Sequence, residues 1–143
     1  MTKTLAELSE RLREIDFCTL STHTEGGAIA GRPMSNNAQV ESDLDAYFFS
    51  AGDARTVRDI EADRQVGLAY QGKAGVLGMR PFFVTVEGEA ELIRDKATFR
   101  RHWTKDVERY FPDGIDTPGL TLIKVRAVRA HYWDGENEGE LRV

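Results

Sequence analysis

Two stretches of this chain combine cations, hydroxyls and turn residues in a way suited to gripping an anion. One is Gly31-Arg32-Pro33-Met34-Ser35-Asn36; the other is Phe48-Phe49-Ser50-Ala51-Gly52-Asp53-Ala54-Arg55-Thr56. An arginine offers a planar fork of donors that can bond two phosphate oxygens at once. For Arg32 taken alone, a surface arginine is the plainer reading. The second stretch says more. Ser50 closes an aromatic strand, Gly52 turns the chain, and Arg55 falls in the first turn of an expected helix. Free N–H groups and the helix dipole favour an anion there, and a cation in that turn is mildly unfavourable unless an anion offsets it. The competing reading, at even weight, is an ordinary helix capped by Ser50 or Asp53 with an exposed Arg55.

Other chemistry finds less support. His23, His102 and His131 lie far apart and show no metal-ligand spacing with Cys, Asp or another His, so no metal site is expected. Ser21 and Ser35 lack the glycine context of a nucleophile elbow. Gly72–Gly78 is not a dinucleotide fingerprint. The scattered Asp and Glu read as solvated faces. Most aromatics read as core, with Trp133 the exception, an indole placed to wall a planar ring. Nothing stands out as a general acid or base.

The chain has 143 residues, a net charge of -5, 41% hydrophobic and 30% charged residues, and one cysteine. These values suit a single domain over 1–143 that needs no disulfide. The acidic balance argues against nucleic acid or an anionic membrane as partner. No apolar run is long enough to span a bilayer, the N-terminus does not resemble a signal peptide, and the lone Cys18 fits a reducing cytoplasm.

The elements that would position the two stretches can be read in order. Leu5, Leu8, Leu12 and Ile15 mark a helix over Thr4–Asp16, with Thr4 and Glu7 as a capping box. Phe17–Thr22 and Ala28–Gly31 form a hairpin about Glu25-Gly26-Gly27, and Pro33 is expected to interrupt pairing. Strands follow at Asn36–Val40, Asp45–Ser50 and Val66–Tyr70. A helix opens at Gly52-Asp53-Ala54 and runs to about Ala62. Gln71–Gly78 reads as a loop. Phe82–Val86 is a strand continued, past a bulge at Gly88, by Ala90–Ile93. Asp95 caps a helix reaching Val107. Leu120–Val125 and Val128–Trp133 read as two strands, and 134–143 as an acidic, mobile tail. Six or seven short strands without βαβ alternation point to a barrel or sandwich.

Arg32-Pro33-Met34, Tyr47-Phe48-Phe49-Ser50, Asp53-Ala54-Arg55-Thr56-Val57, Val66-Gly67-Leu68-Ala69-Tyr70, Val84-Thr85-Val86-Glu87-Gly88-Glu89-Ala90-Glu91-Leu92 and Tyr132-Trp133-Asp134-Gly135 follow one another in this order. In order and spacing the chain resembles the pyridoxamine 5'-phosphate oxidase-like FMN-binding split-barrel proteins, within them the general stress protein 26-like branch. The resemblance implies a mainly β (α+β) fold, a six-stranded antiparallel split β-barrel with peripheral helices that forms a homodimer with FMN at the interface. It implies that Arg32 contacts the FMN phosphate or ribityl chain, that Pro33 and Met34 run beside the ring with Phe49 nearby, and that Ser50 and Arg55 hold the phosphate. Thr56 stands where many relatives carry lysine, and Trp133 would approach the flavin, from the partner subunit in one arrangement. The true oxidase holds its substrate phosphate with further basic residues and an arginine-leucine segment. Glu140-Leu141-Arg142-Val143 behind an acidic run would repel a second phosphate and argues against that activity. The implied function is an FMN-dependent oxidoreductase or flavin reductase in a stress response, with a reduced nicotinamide as donor. The alternatives are a non-catalytic flavin store or sensor, and the same barrel with FAD or a deazaflavin.

Overall fold

The structure is a computed structural model that describes residues 2–72 and 81–143. Helix α1 (Leu5–Arg13) opens on the expected capping box: Thr4 Oγ1 accepts from the Glu7 amide at 3.1 Å, and the Thr4 amide donates to Glu7 Oε2 at 2.9 Å. The strands are β1 (Phe17–His23), β2 (Ile29–Ser35), β3 (Ala46–Ser50), β4 (Gln65–Gly72), β5 (Phe82–Ile93), β6 (Thr121–Asp134) and β7 (Asn137–Arg142). Helix α2 (Arg55–Ala62) joins β3 to β4; α3 (Lys96–His102) and α4 (Lys105–Glu108) join β5 to β6. All pairings are antiparallel in the order β2-β1-β4-β5-β6-β3, with β7 also on β6. The six strands of that path curl into a split half-barrel, the expected fold class.

The core follows from strand alternation. Leu20, Leu68, Val86 and Ala130 form one rung across β1, β4, β5 and β6, each at most 2% exposed. Burying each of the larger side chains contributes roughly 1.5–3 kcal/mol. The same register sets Arg32 opposite Leu20, so the arginine extends an apolar rung at the sheet edge. The bulge falls between Glu87 and Gly88 as expected, and a Cβ on Gly88 would collide with the Arg126 carbonyl. A second cluster, Tyr47, Phe99, Leu120 and Leu122, packs under α3 with Phe49, Trp103 and Phe111.

Several expectations fail for physical reasons. Pro33 does not interrupt pairing: it stands opposite Thr19 within β2, an edge strand in which a missing N–H is tolerated. The segment 36–40 is a turn, not a strand, apart from one bridge between Val40 and Ala46. The Gln39 amide donates to the Asn36 carbonyl at 3.0 Å, with Asn37 (φ 50°) and Ala38 (φ 58°) both left-handed between them. The helix after Asp95 breaks at Trp103, whose extended backbone lets its indole meet Phe49 at 5.0 Å. In place of two strands at Leu120–Val125 and Val128–Trp133 there is one long strand, β6, from Thr121 to Asp134, which holds β3 along its first half and β7 along its second. The expected mobile tail is instead strand β7: Glu138 meets His131 at 2.8 Å, Glu140 meets Arg129 at 3.2 Å, and Leu141 packs on the core. Gln71 and Gly72 belong to β4, and the rest of the expected loop, 73–78, lies outside the described residues.

Two outcomes follow from the fold. Ala38 occupies a backbone region that L side chains enter only at a cost, so Ala38→Gly should stabilise the protein by roughly 0.5–1 kcal/mol in a denaturant titration. Cys18 is 4% exposed, and burial pushes its thiol up to about 12. A thiol reagent should find it silent in the native state and reactive only in denaturant.

Candidate functional site

The site begins with the turn from β3 into α2. Gly52 lies so close to the Gly119 carbonyl that a Cβ would clash, which fixes where the helix starts. Ala54 is the N-cap and supplies no side-chain hydrogen bond, so neither Ser50 nor Asp53 caps the helix. Ser50 Oγ donates to the Ala51 carbonyl at 3.0 Å. The first turn of α2 thus keeps unsatisfied N–H groups at its positive end, with Arg55 as the first helical residue. Val57 and Ile60 anchor the inner face of the helix at 0% and 2% exposure. Thr56 is buried with them, so its side chain is packed and only its amide lies toward the helix start.

Asp59, one turn after Arg55, organises what surrounds it. Its Oδ2 accepts from Thr22 Oγ1 at 2.8 Å and its Oδ1 from Thr24 Oγ1 at 3.0 Å. Arg32 Nη2 approaches Oδ2 at 3.4 Å. Arg32 Nη1 donates to Thr22 Oγ1 at 2.7 Å, to the Ala30 carbonyl at 3.1 Å and to the Leu20 carbonyl at 3.3 Å. Arg55 Nε and Nη2 both donate to Thr24 Oγ1, at 3.0 and 2.8 Å. The two arginines therefore converge on one Thr24–Asp59 unit. They are not equivalent. Arg32 is turned inward and its side chain is 19% exposed, whereas Arg55 is exposed.

The electrostatics agree with the geometry. Burial pushes the Asp59 carboxyl up, but hydrogen bonds from Thr22 and Thr24 and the charges of Arg55 and Arg32 outweigh it and hold the group below its usual value. Asp59 stays ionised, and two cations against one anion leave a net charge of +1 at the uncapped helix start. Such an arrangement can hold a phosphate.

Pro33 and Met34 of β2 and Phe49 of β3 line a cavity of about 330 Å³ together with Val107 and Phe111. Phe49 is held edge-on by Phe99 at 5.7 Å and by Trp103. Pro33, Met34 and Phe49 share this cavity, Arg32 and Arg55 meet through Thr24 and Asp59, and Ser50 and Thr56 flank the turn from β3 into α2. Trp133 does not join them within the chain. It sits on β6, with β5 and β4 between it and β1, and stacks on His131 at 4.0 Å. Sequence reasoning missed Thr22, Thr24 and Asp59. The available signal was the four-residue spacing of Arg55 and Asp59 on one helix, beside inward Val57 and Ile60. Among the described residues, no group of three metal-ligating side chains occurs, and no helix is long and apolar enough to cross a membrane.

Known proteins share this architecture. A structure from Clostridium acetobutylicum, described as related to general stress protein 26 (pyridoxinephosphate oxidase family), superposes with a TM-score of 0.80 at 19% identity, covering 97% of this chain and 94% of that one. The general stress FMN/FAD binding protein of Xanthomonas citri superposes with a TM-score of 0.74 at 22% identity, over 97% of this chain and 94% of that one. Protein bli-3 of Neurospora crassa is 21% identical over 135 residues, 88% of this chain; the match spans 62% of the length of bli-3. The family model described as "Pyridoxamine 5'-phosphate oxidase like" matches residues 3–143. With nearly its whole length matched, this chain belongs to the pyridoxamine 5'-phosphate oxidase-like family.

Proposed function

We propose that the chain binds FMN and serves as a flavin-dependent oxidoreductase or flavin reductase linked to stress. The observation that carries this reading is the convergence of Arg32 and Arg55 on Thr24–Asp59 at an uncapped helix start. In this reading the phosphate lies against the α2 amides and Arg55, with Ser50 beside it. Arg32 supports the same corner from inside. The cavity at Pro33, Met34 and Phe49 takes the ring, where apolar walls suit a flat heterocycle. FMN supplies the redox chemistry when bound, and the protein binds and orients it.

A homodimer belongs to the same reading. Phe17, Ile29, Phe83 and Val128 are 57%, 74%, 37% and 44% exposed on strands of the sheet. Gly31 and Gly67 flank Ser21 across the sheet and add no side chains there, and such a face suits a second copy. Trp133 would then meet the flavin of the partner subunit. The single buried cysteine accords with a reducing cytoplasm.

The test is the chromophore. Purified protein should be yellow, and mass spectrometry of the heat-released ligand should show FMN. Release of FAD or a deazaflavin would replace the cofactor, and a ligand-free protein that ignores added FMN would end the reading. Steady NADH or NADPH oxidation with an added acceptor identifies an enzyme; its absence in flavin-loaded protein identifies a store or sensor.

A further inference from the structure

Trp133 lies on β6, away from the cavity assigned to the ring, and is held by an arrangement of its own. The indole lies flat on His131, with ring centroids 4.0 Å apart and planes 6° from parallel. The two residues are two positions apart on one strand, so their side chains leave the same face of the sheet. His131 is fixed in turn from β7: its Nε2–H donates to Glu138 Oε1 at 2.8 Å. An ionised carboxylate can only accept, so the partner decides which ring nitrogen carries the proton.

The register explains why this stack forms. Across β6 and β7, Trp133 faces Glu138, His131 faces Glu140 and Arg129 faces Arg142. Each basic side chain reaches diagonally, His131 to Glu138 and Arg129 to Glu140 at 3.2 Å. Arg129 also donates to Glu87 of β5 at 2.7 Å. The imidazole is thereby drawn toward the rung that holds Trp133 and comes to lie against its indole. Gly139 keeps β7 close, since a Cβ there would stand on the Tyr132 hydroxyl. The stack is built from this chain's own residues and presents a half-buried indole beside Phe83, its 37% exposed neighbour across β5. A side chain already held in one rotamer loses less entropy when a ring settles on it.

We propose that His131 is a positioning residue: locked by Glu138, it holds the Trp133 indole in the orientation that meets the flavin ring of the partner subunit. The fixing of the indole is a property of one chain; its effect on flavin rests on the cofactor and homodimer readings above. A contact with the ring acts equally on FMN and on riboflavin, which separates His131 from a residue that acts on the phosphate.

The test reads both properties in the full-length protein. The indole N–H signal of Trp133, identified by its loss in Trp133→Ala, should be as rigid as the backbone in the wild type and mobile in His131→Ala, read by its heteronuclear NOE. In fluorescence titrations of flavin-stripped protein, His131→Ala should weaken FMN and riboflavin alike, about fivefold. Trp133→Ala should weaken both about tenfold. His131→Phe keeps a flat ring against the indole and should recover most of the loss. Glu138→Ala should cost about twofold for both flavins. A rigid indole in His131→Ala would overturn the proposal. So would a loss confined to FMN, a loss that accompanies dissociation into monomers, or flavin affinities unchanged in His131→Ala but weakened in Trp133→Ala. Unchanged affinities in Trp133→Ala would remove Trp133 from the flavin and the role of His131 with it. A wild type that binds neither flavin would refute the cofactor reading itself, and this role with it.

Discussion

Replacing Arg55 with alanine is expected to weaken FMN binding about 100-fold while leaving the fold intact. The residue is exposed, makes its hydrogen bonds to a single hydroxyl, and begins a helix held by Val57 and Ile60 on the other face. Removing it deletes a charge-assisted contact to phosphate, worth about 1.5–3 kcal/mol. Each 1.4 kcal/mol is tenfold in affinity. It also removes one of the two cations that leave the corner at +1. Fluorescence titration of flavin-stripped protein measures the affinity, and a melting curve checks the fold. Arg32→Ala should behave differently, because Arg32 ties the Leu20 and Ala30 carbonyls to Thr22 and Asp59 from inside. That variant should lose stability as well as flavin. The double variant should come off a column colourless; flavin at wild-type occupancy in it would refute the assignment of both arginines.

The second large effect is on stability. Asp59→Asn should destabilise the protein by about 3 kcal/mol, because it removes the carboxylate paired with the partly buried Arg32 and leaves that guanidinium without its counter-ion. The Asp59 side chain is 7% exposed, so water cannot replace what is lost. The pH dependence has a definite sign. The Asp59 carboxyl sits below its ordinary value of 3.8 in the folded protein. Its contribution is therefore complete above the unfolded value and is lost as pH falls from 3.8 through the folded value. Glu87 and Asp134 are held low in the same direction, by Arg129 for the first and, against the opposing effect of burial, by Lys3 and Arg11 for the second. The difference between wild type and Asp59→Asn, rather than either curve alone, isolates this residue. That difference should be flat near neutrality and shrink toward strong acid. A difference that grows on acidification would contradict the ion pair.

How much of this was legible depends on the range of the interaction that decided each element. Local signals were reliable. The Thr4–Glu7 box, the Gly26-Gly27 turn, the Gly88 bulge and the aromatic strand before Ser50 all carry their instruction within a few residues. The failures lie where distant partners decide. Pro33 reads as a break because a sequence does not state that its strand is an edge. The tail reads as loose because its acidity is visible in the sequence, while its contacts with Arg129 and His131 and the packing of Leu141 on the core are not. Asn36–Val40 alternates like a strand, yet Asn36 Nδ2 donates to the Leu12 and Ile15 carbonyls at 2.7 and 2.9 Å, and this anchor to α1 forces the turn. At the site, both arginines were visible from their settings. Asp59, which draws them together, was not, because its role exists only once β1 lies against α2.

The central claim is that a phosphate, more than a ring, is what the Arg55 corner recognises. It is tested most directly by comparing FMN with riboflavin, which carries the same ring without the phosphate, on flavin-stripped wild-type protein. FMN should bind at least 100-fold more tightly, and the preference should fall to about tenfold or less in Arg55→Ala. Equal affinity of the wild type for the two compounds would contradict the account.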